Sequence, residues 1–259
     1  MKVVMLCGGK GTRLREETEY KPKPMVEIGG HPILWHLMKY YAYYGHKDFI
    51  LCLGYKGNVI KEYFLNYEFM NRDFTVSLGT KNNVTTHNGH EEDWNVTLAD
   101  TGLETPKGAR LLRVQQYLKD ETDFMLTYGD GIANINIDEL IQYHTAQNKI
   151  VTFTGVQPRS RFASVDMSKS GNIVGWKEKR HIKDFINGGF FVFKSSVFEY
   201  LADDVELEEQ PLETLAKAGQ ISMYKHQGFW ECMDTYRDYN YLNEMYEEGV
   251  RPWMIWDNK

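Results

Sequence analysis

Hydrophobic positions along the first two thirds of the chain fall into two alternating rhythms. Lys2 to Cys7 is a short, nearly continuous apolar run, the pattern of a strand covered on both faces. A glycine-rich turn follows. Pro32 then stands where a helix can begin. Ile33, Leu34, Leu37, Met38 and Tyr41 recur at helical spacing, and Gly45 supplies a stop. Phe49 to Leu53 reads as a second buried strand and Val59 to Phe64 as a short amphipathic helix. Phe124 to Tyr128 is another apolar strand, ended by Gly129-Asp130-Gly131. Ile137 to Gln147 has the helical period, and Ile150 to Val156 reads as a strand. In the last third the pattern predicts strands over Asn187 to Phe193 and Ile221 to His226. It predicts helices over Ser196 to Leu201, Glu209 to Ala218 and Asp238 to Glu247. The stretch from Thr80 to Asp93 is polar and rich in Asn, His and acids, and reads as a mobile loop.

Strands alternating with helices predict an α/β fold, Rossmann-like, with a mixed, mainly parallel central sheet flanked by helices. No low-complexity linker or internal repeat divides the chain, so one domain over residues 1–259 is the simplest organisation. Sheets of this kind bind ligands beyond the carboxyl ends of their strands. The loops after Cys7 and Tyr128 are therefore the first places to look.

Composition narrows the picture a little. A 42% hydrophobic content over 259 residues suffices for a full core. The net charge of −6 speaks against wrapping a nucleic-acid polymer, which needs a basic face, but leaves room for a nucleotide, which needs only local positive charge. Cys7, Cys52 and Cys232 lie far apart, with no zinc or redox spacing, and read as reduced thiols. The run before Cys7 is too short for a signal peptide and reads as the first strand. No run of about 18 apolar residues offers a membrane span. A cytoplasmic location is the expectation. The Asn83-Val84-Thr85 and Asn95-Val96-Thr97 sequons are discounted with it.

The strongest local chemistry is Gly8-Gly9-Lys10-Gly11-Thr12-Arg13-Leu14, directly after the first strand. Glycines let backbone N–H groups approach an anion closely, and Arg13 adds a permanently charged fork suited to phosphate. Lys21-Pro22-Lys23-Pro24 follows, where two prolines fix the backbone around Lys23. A Walker loop would end in Gly-Lys-Ser/Thr, and a dinucleotide fingerprint would need glycine where Leu14 stands. The Gly-Asp-Gly around Asp130 is compatible with a turn acid or a metal ligand. Asp234, before Thr235, is compatible with a helix cap or a second metal ligand. His87 and His90 fall in a polar stretch with no fixed geometry and read as solvated. Arg110 and Arg113 read as exposed helix charges or as extra phosphate ligands. Asn187-Gly188-Gly189 permits either a strand bulge or a ligand close to the backbone.

Taken together, these blocks resemble the sugar-1-phosphate nucleotidyltransferases. The resemblance rests on Gly8 to Leu14, then Lys21 to Val26 and Ile28-Gly29-Gly30. It extends through Glu17-Thr18, Tyr128-Gly129-Asp130-Gly131 and Asn187 to Val192. Trp94 to Leu98 with Asp100-Thr101-Gly102, and Gly228-Phe229-Trp230 with Met233-Asp234-Thr235, point to the cytidylyltransferase branch. The resemblance covers nearly the whole chain. It implies a fold of the GT-A-like kind, with a nucleotide-binding core over about residues 1–135 and a sugar-phosphate-binding and helical part over about 136–259. It also implies transfer of a cytidylyl group from CTP to a sugar 1-phosphate, glucose 1-phosphate first among them, with release of pyrophosphate.

Under that resemblance Arg13 and Lys23 are the catalytic cations. Leu6, Gly8, Gly9, Gly11, Thr12, Arg110 and Gly129 join them around the nucleotide. Asp130 and Asp234 hold Mg²⁺. Tyr128, Glu178, Lys179, Asn187 and Gly188 seat the sugar phosphate, and a homo-oligomer is implied. The chain departs from the family pattern at Arg180, where proline is common, at Ala163, where glycine is common, and at Cys7, where alanine is usual. Two other readings stay open: transfer of a thymidylyl or uridylyl group, and a non-catalytic nucleotide-sugar-binding subunit.

Overall fold

The computed structural model describes residues 1–79, 83–88, 92–159, 163–177 and 184–258. Its centre is an eight-stranded sheet. Strand β1 (Val3–Cys7) lies between β2 (Asp48–Leu53) and β4 (Asp123–Tyr128), parallel to both, and β3 (Asn95–Asp100) extends the parallel half beyond β2. On the other side of β4 the direction reverses. Strand β6 (Phe191–Lys194) runs antiparallel to β4 and to β5 (Val151–Val156), and β7 (Ile221–Lys225) closes that edge parallel to β5. Fold class and sheet character are as the sequence predicts.

Why β1 sits at the centre follows from its side chains. All five residues are buried, and they alternate between two cores. Val3, Met5 and Cys7 face one layer, and Val4 and Leu6 face the other. The neighbouring β2 divides likewise, Phe49, Leu51 and Leu53 against Ile50 and Cys52. The first layer contains α1 (Ile33–Tyr43), whose Ile33, Leu34, Leu37, Met38 and Tyr41 are buried as their spacing predicts. The second contains α3 (Lys107–Arg113), packed through Leu111. Between them in sequence lies α2 (Gly57–Leu65), and the later helices are α4 (Ile137–Gln147), α5 (Gln210–Lys217) and α6 (Tyr236–Glu247). Each large apolar side chain so buried contributes about 1.5–3 kcal/mol.

Three local expectations change. Residues Asn83–His87, inside the stretch read as a polar loop, form a strand antiparallel to Asp73–Ser77. Thr75, Val76, Val84, Thr85 and Thr86 supply the β-branched character that favours strand, and the polar composition marks solvent exposure instead. The expected strand Asn187 to Phe193 is broken. Ile186–Asn187 and β6 both pair with β5, but Gly188, Gly189 and Phe190 bulge out between them, Phe190 at φ 48. The Ser196 to Leu201 helix is a 3₁₀ segment, Ser195–Tyr200.

A small ribbon solves a problem that the sequence cannot. Gly131–Ala133, just after β4, pairs antiparallel with Trp230–Cys232, with Cys232 opposite Gly131. It carries the chain on either side of Asp130 to the chain around Asp234. The Met233 backbone N–H donates to the Asp130 carbonyl at 2.9 Å.

Candidate active site

The glycine loop leaves the carboxyl end of β1 beside the end of β4, Leu6 being paired with Tyr128. At Gly8 a Cβ would lie 2.1 Å from Arg110 Nη1, so only glycine fits above that side chain. Gly11 adopts φ 62, the left-handed region, and its carbonyl accepts from Thr18 Oγ1 at 3.0 Å. A Cβ at Gly9 would meet no described atom within 4 Å, which leaves that stretch of backbone open to a ligand. Arg110 is no exposed helix charge: it is only 4% exposed. Its guanidinium donates to Leu53 O, Thr101 Oγ1, Gly102 O, Leu103 O and Gly8 O at 2.7–3.3 Å. It braces the loop from beneath while forming part of the cavity wall. Arg113, the other helix arginine, turns to Thr101 O and Thr105 Oγ1 at 2.7 and 2.9 Å.

Lys23 opens a 3₁₀ turn, Lys23–Met25, held between Pro22 and Pro24. Its ammonium lies 2.6 Å from Asp130 Oδ2 and 2.5 Å from Asp234 Oδ1, and Arg13 Nη1 lies 2.5 Å from Asp234 Oδ2. Burial works against the lysine's charge, but Asp130 foremost, with Cys232 and Asp234, overcomes it and pushes the pKa up to about 12. Close packing sets this geometry. A Cβ at Gly129 would stand 3.0 Å from Pro24 Cγ, so the lysine turn rests directly on the strand end that presents Asp130.

Asp234 lies one residue before the start of α6. Thr235 is the helix cap, in a reciprocal capping box with Asp238, which also accepts from the Asp234 N–H at 3.2 Å. The cap alternative for Asp234 therefore falls to its neighbour. Oxygens of Asp130 and Asp234 and the sulfur of Cys232 lie within 4.8 Å of one another. Two carboxylates suit a hard divalent cation such as Mg²⁺, which takes oxygen ligands. The Cys232 thiol does not, because burial and the adjacent Asp130 hold its pKa well above the usual thiol range.

Two cavities adjoin here. One of about 390 Å³ is lined by Leu6, Gly8, Gly9, Gly11, Thr12, Lys23, Arg110 and Gly129, with Thr105 and Glu206. The second, about 300 Å³, is lined by Asn187, Gly188, Trp230, Glu208 and Cys232. Arg13, Lys107, Tyr128, Asp130 and Asp234 line both. In the second cavity the Tyr128 hydroxyl donates to Glu208 Oε1 at 2.7 Å and accepts from Asn187 Nδ2 at 2.9 Å. Burial, reinforced by Glu208, raises the phenol pKa well above its ordinary value, so it stays a donor. Asn187 Oδ1 accepts from Gly189 N, and Trp230 Nε1 donates to Gly188 O at 2.8 Å. Gly188 is small for packing reasons, a Cβ there lying 2.7 Å from Val156 Cγ1.

Glu178 and Lys179 lie outside the described residues, as do Arg180 and His90. His87 sits on the exposed ribbon against Thr75 Oγ1 at 2.9 Å, away from the site. Sequence reasoning missed Lys107, Glu206, Glu208 and Cys232. Only the period-two pattern Glu206-Leu207-Glu208, with Leu207 fully buried, hinted that two carboxylates share one open face.

A glycine cradle at a strand end, two cations and a carboxylate pair, shared between two small-molecule cavities, define a nucleotidyl-transfer site. Residues 2–237 match the family described as Nucleotidyl transferase, and the chain belongs to that family. Among curated proteins it is 48% identical over 259 residues to the glucose-1-phosphate cytidylyltransferase of Salmonella typhimurium, covering 99% of this chain and 100% of that one. It is 45% identical over 258 residues to the probable glucose-1-phosphate cytidylyltransferase of Bacillus subtilis, covering 99% and 100%. Among solved structures, HddC from Yersinia pseudotuberculosis shares the fold, with a TM-score of 0.68 at 21% identity over 95% of this chain and 99% of that one.

Proposed function

We propose that the protein transfers the cytidylyl group of CTP to glucose 1-phosphate, giving CDP-glucose and pyrophosphate. The observation that carries this is the meeting of Lys23, Arg13, Asp130 and Asp234 where the two cavities join. Near-half identity over the full length of glucose-1-phosphate cytidylyltransferases supports the choice of base and sugar.

The nucleotide lies in the first cavity, with its phosphates over Gly8, Gly9 and Gly11 and its tail toward Arg13. The sugar 1-phosphate enters the second, against Tyr128, Asn187 and Gly188. A sugar-phosphate oxygen then attacks the α-phosphorus, the bond to the bridging oxygen breaks, and pyrophosphate leaves in line. Chemistry of this kind is carried by positioning and charge neutralisation. Lys23 supplies a mostly buried, charged donor to the α-phosphate, and Arg13, whose side chain is 70% exposed, supplies a reachable one to the leaving pyrophosphate. Asp130 and Asp234 would hold Mg²⁺, which neutralises phosphate charge when bound.

On this reading the nucleotide half is about residues 1–135 and the sugar half about 136–259. The three cysteines are free thiols, and no helix among the described residues is long and apolar enough to cross a membrane, which supports a cytoplasmic site of action. Homo-oligomer formation is supported by exposed apolar side chains on two antiparallel ribbons, Phe74, Val76 and Val84 on the one formed by Asp73–Ser77 and Asn83–His87, and Val165, Met167 and Trp176 on the one formed by Ser164–Met167 and Ile173–Lys177.

The deciding experiment is pyrophosphate release with Mg²⁺ and glucose 1-phosphate, comparing CTP with UTP and dTTP, then CTP with a panel of sugar 1-phosphates. Preference for CTP and glucose 1-phosphate is expected. Faster turnover of UTP or dTTP overturns the base assignment, and no turnover of any pair overturns catalysis.

A further inference from the structure

Five residues line both cavities, and Lys107 and Arg13 are the cations among them. Arg13 is engaged with Asp234. Lys107 plays no part in the glycine cradle or the carboxylate pair. Its ammonium sits 2.5 Å from Glu208 Oε1, an oxygen that also accepts from the Tyr128 hydroxyl, and 5.6 Å from the centre of the Tyr128 ring. Glu208 Oε2, by contrast, is buried and has no hydrogen-bond partner among the described residues. One oxygen therefore carries two donors while the other carries none, an uneven arrangement that a change of partner would relieve.

A structural tether would be the ordinary account of such a pair. The segment around Glu208 is already fastened without it. The Lys107 backbone N–H reaches Glu206 Oε2 at 3.3 Å, Gly108 packs so tightly that a Cβ would lie 2.7 Å from Val205 O, and Leu207 is fully buried. The Lys107 ammonium is thus surplus to anchoring. It stands where a sugar phosphate must be brought against the α-phosphate beside two carboxylates.

We propose that Lys107 is a substrate-binding cation which exchanges Glu208 for the phosphate of the incoming sugar 1-phosphate, freeing a Glu208 oxygen to accept a sugar hydroxyl. Glu208 thereby parks the lysine before the substrate arrives and helps to seat the sugar afterwards. This rests on the two-cavity reading above.

The test uses Lys107→Met, Lys107→Arg and Glu208→Gln in the full chain, with inorganic phosphate as a competitive inhibitor against glucose 1-phosphate. Lys107→Met should raise the KM for glucose 1-phosphate by about tenfold or more while the KM for CTP holds, and Lys107→Arg should restore much of the loss. The two neutral variants should move phosphate inhibition in opposite directions. Lys107→Met weakens it, whereas Glu208→Gln strengthens it by releasing the lysine from its competitor. A purely structural pair would move both the same way. Equal shifts of both KM values in Lys107→Met, no shift at all, or parallel changes in phosphate inhibition overturn the proposal while wild-type CDP-glucose synthesis stands. Absence of wild-type synthesis overturns the two-cavity reading and this inference with it. Should Lys107→Met fail to fold, the phosphate inhibition of Lys107→Arg and Glu208→Gln decides: the first should stay near wild type and the second should tighten, and any other pair of results rejects the exchange.

Discussion

Lys23 makes two contacts that no other described side chain combines, one to each carboxylate of the site. Replacing it with alanine removes the proposed charge-stabilising donor and the cation between Asp130 and Asp234. Lys23→Ala should lower kcat by about 10²–10³ with the fold retained, as read by pyrophosphate release and circular dichroism. Wild-type turnover in that variant rejects the role. The raised pKa has its own consequence. A lysine whose folded value lies above its unfolded one contributes stability below the unfolded value, lost as pH climbs through about 12. Lys23 therefore stays charged at neutral and moderately alkaline pH, and Lys23→Arg should leave the shape of the pH–rate profile unchanged below about pH 10. Arg13, Lys23 and Asp130 were legible in the sequence because each belongs to a local block whose spacing makes chemical sense. Lys107, Glu208 and Cys232 were not, because only strand register and the path of the 205–208 segment bring them in.

At the scale of elements, the start of α6 aims Asp234, the proposed metal ligand. Thr235 Oγ1 accepts from the Asp238 N–H while Asp238 accepts from the Thr235 N–H at 2.9 Å, and Asp234 hangs from this box. Thr235→Ala should cost about 0.5–2 kcal/mol in urea unfolding and also lower kcat, since Asp234 loses its fixed approach. A stability loss with full activity would show that the ribbon alone suffices. Glycine at 129 is the counterpart on the other carboxylate. Gly129→Ala pushes a methyl against Pro24 Cγ and the Leu6 carbonyl, so turnover and melting temperature should both fall. The elements themselves were readable where one periodicity dominated, as in α1 and α4. The broken strand was readable only in part: Gly188-Gly189 permitted a bulge, but a phenylalanine at φ 48 carries no mark in the sequence.

Over the whole molecule, buried histidines make folding sensitive to acid. His36 is fully buried, its Nε2 facing Ile28 O at 2.9 Å and its Nδ1 facing the Trp253 indole at 3.4 Å, and burial lowers its pKa to about 4. Folded and unfolded chains both hold it neutral above its ordinary value of 6.5. Below that, the unfolded chain takes up a proton that the folded chain refuses, so stability falls as pH drops, and the loss levels off below about 4. His36 should account for about 3 kcal/mol of the decline. Urea unfolding of wild type and His36→Gln at several pH values checks this, and parallel slopes would reject it. The parallel half of the sheet was visible in the strand–helix rhythm. An antiparallel part was expected in a mixed sheet, but which strands it joins was hidden, because nothing in the pattern of β6 names β4 or β5 as its partner.

The ribbon joining Gly131–Ala133 to Trp230–Cys232 also sets when this enzyme becomes an enzyme. Asp234 follows Asp130 far along the chain, and both close on the same Lys23. A chain cut anywhere between them keeps one carboxylate of the pair and loses the other, so on the proposed mechanism such a fragment should release no pyrophosphate.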